Sequence, residues 1–169
     1  MDWSPDSRWL VMPDRTAAGE SLGLFAVSVE TGAKRRLTSG TALGDFGPAF
    51  SPDGRTLSFT RALSESRYQL CLLKVDADLT LRGEPRPLTD PGLAVNMSHW
   101  SSDGRGIVFS AARAGSNDYG LWYLELSGGA APKPLAFARG NVRSFAVART
   151  GNRGYRFRRT ADRPARGSS

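Results

Sequence analysis

In a chain of 169 residues with one histidine and one cysteine, chemistry has few places to start. Gly19-Glu20-Ser21-Leu22-Gly23 has the G-x-S-x-G spacing of a nucleophile elbow, which exposes its serine only between a preceding strand and a following helix. The next run, Leu24-Phe25-Ala26-Val27-Ser28-Val29, reads as a strand, so Ser21 lacks that setting. A Ser–His pair would rest on His99 alone, beside Trp100 in an inner strand. His99 has no companions at metal-ligand spacing and reads as an inner-strand histidine with its hydrogen bonds met. Cys71 reads as a small buried hydrophobe, and a single cysteine excludes an internal disulfide while leaving the redox compartment open. No phosphate-binding glycine loop occurs. No catalytic, cofactor-binding or metal-binding residue is therefore assigned, and no cofactor is expected.

The regular polar residues are Asp6, Asp53 and Asp103, and they belong to a repeat. Phe50-Ser51-Pro52-Asp53-Gly54-Arg55-Thr56-Leu57-Ser58-Phe59 returns as Trp3-Ser4-Pro5-Asp6-Ser7-Arg8-Trp9-Leu10-Val11-Met12 and as Trp100-Ser101-Ser102-Asp103-Gly104-Arg105-Gly106-Ile107-Val108-Phe109. The lead aromatics Trp3, Phe50 and Trp100 stand 47 and 50 residues apart, a period that belongs to propellers and other repeat arrays. At a turn next to Gly or Ser, each aspartate suits a structural role, accepting hydrogen bonds from backbone N–H groups.

The elements around these turns repeat as well. Leu24-Phe25-Ala26-Val27-Ser28-Val29 matches Leu70-Cys71-Leu72-Leu73-Lys74-Val75 and Leu121-Trp122-Tyr123-Leu124-Glu125-Leu126, and each unit closes on a basic residue with a leucine two on: Arg35-Arg36-Leu37-Thr38, Arg86-Pro87-Leu88-Thr89 and Lys133-Pro134-Leu135-Ala136. Four short strands per unit make a propeller blade. Leu57 with Phe59, Leu10 with Met12 and Ile107 with Phe109 share a face at period two, while the middle run is apolar on both faces, as packing between two blades requires. Pro87 and Pro134 place the fourth strand at the solvent edge, where a missing N–H does least harm. The expected fold is all-β: an incomplete β-propeller of four-stranded antiparallel blades over 1–158, with blades at about 1–38, 46–89 and 96–137 and a half blade at 142–158. Residues 159–169 read as a basic disordered tail.

Composition agrees: 40% hydrophobic and 23% charged residues suit a globular core, and the 19 glycines and 10 prolines fall mostly between the apolar runs. No apolar run is long enough to span a membrane and no signal peptide is visible, so the compartment, cytoplasmic or periplasmic, stays open. Of the formal charge of +7, residues 149–169 carry most, with seven arginines against Asp162. The nearly neutral body argues against direct nucleic-acid binding by the propeller itself.

With its turns written as aromatic-Ser-Pro-Asp-Gly-Arg, the chain resembles the TolB-type, WD-repeat-like bacterial propeller repeat over residues 1–138, and weakly over 142–157. The resemblance implies a binding scaffold, of the kind found in the translocation protein TolB, in sensors behind a winged-helix DNA-binding domain, and in gating domains of prolyl-oligopeptidase-like hydrolases. The expectation is a non-enzymatic scaffold, a fragment of a larger bacterial protein such as a sensor or regulator with an appended winged-helix domain. It would take a protein partner or small ligand on the propeller face. The propeller domain of a prolyl-oligopeptidase-like hydrolase and a periplasmic TolB-like protein are the alternatives. Three blades and a half form an open arc, whose two end blades would expose faces that favour self-association.

Overall fold

The computed structural model describes residues 1–147 apart from Ala42, Ala114, Ala130, Ala138, Arg139 and Arg143. The half blade expected over 142–158 lies outside the described residues from 148 onward, and so does the whole tail at 159–169. No helix occurs among the described residues; there are twelve strands in three sheets. The first sheet holds β1 (Asp2–Trp3), β2 (Trp9–Asp14), β3 (Gly23–Ser28) and β4 (Lys34–Arg36). The second holds β5 (Asp45–Phe50), β6 (Thr56–Ser64), β7 (Arg67–Lys74) and β8 (Arg86–Pro87). The third holds β9 (Leu93–Trp100), β10 (Gly106–Arg113), β11 (Gly120–Glu125) and β12 (Lys133–Pro134). Each sheet is an antiparallel meander in chain order, the architecture of a propeller blade. The fold is an incomplete β-propeller, and Pro87 and Pro134 do lie on outermost strands paired on one side only.

Pleat and register decide what the blades bury. Leu57 stands opposite Leu73, and Phe59 opposite Cys71, so this face of the second sheet meets Val11, Leu24 and Ala26 of the first in one core. Its other face, through Leu70 and Ala49, meets Trp100, Ile107, Phe109 and Leu124 of the third sheet in a second core. Burial of the Cys71 thiol pushes it up to about 11, consistent with a small core hydrophobe. Hydrogen bonds tie the blades: the Phe50 N–H donates to the Asp2 carboxylate at 2.8 Å, and the Trp100 indole donates to the Ala49 carbonyl at 3.1 Å. No described strand of the first sheet contacts a strand of the third, so the arrangement is open.

One expectation from the repeat, that Trp3 anchors a joint between blades as Trp100 does, needs correction. Trp3 occupies the same register position as Phe50 and Trp100, opposite Leu10, yet it is 47% exposed. Burial at this position comes from the preceding blade, and no described sheet lies there. The far face of the third sheet, beside which the half blade from 142 onward is expected, is partly covered: Val142 and Phe145 pack on Val108 and Leu121. The Val142 N–H donates to the Tyr119 carbonyl at 2.7 Å, and the Ser110 hydroxyl donates to the Val142 carbonyl.

Candidate recognition site

The candidate site lies at the end of the blades where the three Asp turns gather. Each turn is built around a serine. The Ser51 hydroxyl donates to Asp53 Oδ1 at 2.5 Å and accepts the Thr56 N–H at 2.9 Å, while Asp53 Oδ1 also accepts the Arg55 N–H at 3.0 Å. Ser4 with Asp6 and Ser101 with Asp103 repeat the pattern. The serine hydroxyl, first among the causes, and the backbone N–H hold the carboxyls of all three aspartates below their usual value. The structural role expected of the aspartates is thus seen, but the buried part falls to Ser4, Ser51 and Ser101, which the sequence reading passed over. Their recurrence at one position in all three units is the signal that could have found them.

The turns also interlock. Gly54 and Gly104 both have φ +68°, and Ser7, at φ +60°, takes the same left-handed position without being glycine. A Cβ on Gly54 would come within 3.2 Å of Pro5 Cδ of the first blade, and one on Gly104 within 3.6 Å of Pro52 Cδ. The proline of one turn therefore sits on the glycine of the next.

Removing the two partners of one turn is expected to have unequal effects. Asp53→Ala deletes an exposed acceptor and should cost on the order of 1 kcal/mol. Ser51→Ala leaves the buried turn around the Thr56 N–H unpaired and should cost about 2 kcal/mol. Urea denaturation midpoints of the two variants check the order, and equal midpoints would mean that the Ser51 hydroxyl contributes nothing beyond its bond to Asp53.

Two recesses open beside these turns and share Ser51, Pro52 and Trp100 as their common wall. The larger, of about 550 Å³, is a cleft between the second and third blades. Leu72, Trp100 and Leu126 form its apolar surface, Lys74, Arg82 and Arg86 bring positive charge, and Asp53, Glu84 and Asp103 bring negative charge. The smaller, of about 240 Å³, reaches from Asp2 to His99 and Val147. Cavities of the larger size fall in the range of small-ligand sites. Among the described residues no cluster of three or more His, Cys, Asp or Glu suits a metal ion.

The residues singled out for chemistry do not converge. Ser21 lies in the loop before β3 with no helix after it, in the first sheet, and His99 lies on β9 in the third. His99 stands edge-on to Phe145, ring centroids 5.0 Å apart, but its Nε2 is buried with no hydrogen-bond partner, so its hydrogen bonds are only partly met. Burial, the first cause, holds the imidazole below its ordinary value against the opposing pull of Asp2 and the Phe145 backbone. The unfolded chain then binds the His99 proton more readily than the folded one. This contribution to stability is complete above about pH 6.5 and is lost as the pH falls through that value. His99→Phe is expected to flatten the stability profile as the pH falls below about 6.5. An unchanged slope in denaturation curves across that window would place the acid sensitivity elsewhere.

Sequence reading also missed the pair of Asp45 and Arg61. Asp45 is 0% exposed and its two carboxylate oxygens accept Arg61 Nε and Nη2, both at 2.8 Å. The pair stands in one unit only, so no periodicity announces it.

Comparison with known proteins bears on this geometry. No family model matches the chain. It is 26% identical over 136 residues to dipeptidyl-peptidase 5 of Porphyromonas gingivalis, covering 75% of this chain and 19% of that protein. The structure of a putative TolB from Agrobacterium tumefaciens superposes with a TM-score of 0.64 at 21% identity, over 83% of this chain and 50% of that one. A puromycin hydrolase superposes with a TM-score of 0.59 at 22% identity, over 78% of this chain and 22% of that one. These peptidase and hydrolase relatives overturn the expectation that the chain is not an enzyme, although they are distant and matched over a fraction of their length. The reason is physical: the repeat specifies blades and carries no information about what is joined to them. What the chain shares with TolB and with prolyl-oligopeptidase-type proteins is the β-propeller fold, with TolB-like architecture.

Proposed function

We propose that this chain is propeller material of a prolyl-oligopeptidase-type hydrolase and serves there in recognising and admitting peptide substrates. One observation carries the reading: the curated relative matched in sequence is a dipeptidyl-peptidase, and the match runs through 75% of this chain. The turn-end recesses supply a surface on which the blades themselves could recognise a ligand. The test is made on the full-length protein to which these blades belong, incubated with peptides of defined sequence and followed by mass spectrometry. Release of short fragments supports the reading. Intact peptides, with no hydrolase domain in the full-length protein, would overturn it. They would favour the second reading, a TolB-like recognition scaffold, which the TM-score of 0.64 to the Agrobacterium protein supports. Pull-down of a stable protein partner by the same full-length protein is the outcome that reading expects.

A further inference from the structure

We infer that the cleft between the second and third blades is a binding site for short peptides with both termini free. Its two walls differ in chemistry. On β7, Leu73 turns toward the first blade, so Leu72 and Lys74 turn toward the third. Arg86 of β8 stands opposite Leu72 in register, which places Lys74 and Arg86 as diagonal neighbours on one face. Among the described residues neither forms an ion pair, whereas Arg82 at the same cleft is held by Asp76 at 2.5 Å. Two neighbouring cations with no such partner fit a carboxylate.

The facing wall comes from the third blade. Trp100 and Leu126 offer apolar surface opposite Leu72, suited to one side chain of a bound peptide. Asp103 spends Oδ1 on the Ser101 hydroxyl and the Arg105 N–H, and no hydrogen bond from the described residues engages its Oδ2. That carboxylate, kept ionised by its turn, suits an α-ammonium group. Glu84 and Asp53 add negative charge at the rim, which disfavours a multiply charged anion such as phosphate. A zwitterion with an apolar side chain matches all three features. Because the inference concerns the blades' own residues, it stands whether or not they are joined to a hydrolase.

The experiment uses the full chain, isotopically labelled, titrated with glycyl-phenylalanine while backbone amide shifts are followed by NMR. The expected result is saturable movement of the Leu72, Lys74, Trp100 and Gly104 amides. Affinity should fall about tenfold for the C-terminal amide of the same dipeptide and for Lys74→Ala/Arg86→Ala, while N-acetylation weakens binding less than amidation. Both substituted side chains are exposed, so the variant keeps its fold, and an unchanged amide spectrum away from the cleft confirms this. Equal affinity for dipeptide and amide, shifts scattered over the surface, tighter binding of inorganic phosphate, or no saturation at millimolar concentration would each overturn the inference.

Discussion

Trp100→Ala is expected to lower the stability of the chain by about 3–5 kcal/mol, enough to unfold a domain of ordinary marginal stability. The indole is 9% exposed and packs with Ile107, Phe109 and Leu124 against Ala49 and Leu70 of the second blade. Truncation opens a cavity at the joint between two blades, and it also removes the donor that the Ala49 carbonyl uses at 3.1 Å. Trp3→Ala is the internal comparison. It changes the same residue type at the same register position, but with 47% of the surface already exposed it should cost less than about 1 kcal/mol. Denaturant midpoints of the two variants decide the matter. A Trp100→Ala chain as stable as Trp3→Ala would mean that the blades are not held together through this position.

That contrast marks how far the sequence could be read. Leu57 with Phe59, the middle runs and the edge prolines Pro87 and Pro134 gave the blade because each is set by local periodicity, and local periodicity repeats. The exposure of Trp3 was illegible because it depends on a neighbouring sheet rather than on the tryptophan. The cleft was illegible for a related reason. Lys74 and Arg86 are separated by the Asp76–Glu84 excursion, and only the return of β8 onto Leu72 brings them to one face. The Asp53 turn was recognised through its exposed acceptor, while the Ser51 hydroxyl beneath it looked like an ordinary turn residue until its two hydrogen bonds were seen. The non-enzymatic reading failed differently: it drew a conclusion about the whole protein from a motif that encodes only a scaffold.

Arg61→Ala should be the most damaging change outside the apolar core. It would strand the fully buried Asp45 carboxylate, whose two oxygens both bond the guanidinium. Breaking a buried pair from one side costs several kcal/mol, and a figure of about 3 kcal/mol fits here because Arg61 keeps 23% of its side-chain surface in contact with water. Position 45 faces position 61 across β5 and β6. In the third blade the equivalent cross-strand pair is Val95 and Ala111, both buried, so the fold itself supplies an apolar solution for this place. Asp45→Val combined with Arg61→Ala copies that solution and is expected to recover most of the loss, since an apolar replacement of a buried ion pair is often neutral or stabilising. The measurement is a double-mutant cycle by chemical denaturation. Recovery in the double variant identifies the cost of Arg61→Ala as the stranded charge. A double variant no more stable than Arg61→Ala alone would show instead that the arginine acts through its own packing over the Phe59 ring, 5.4 Å from the guanidinium carbon.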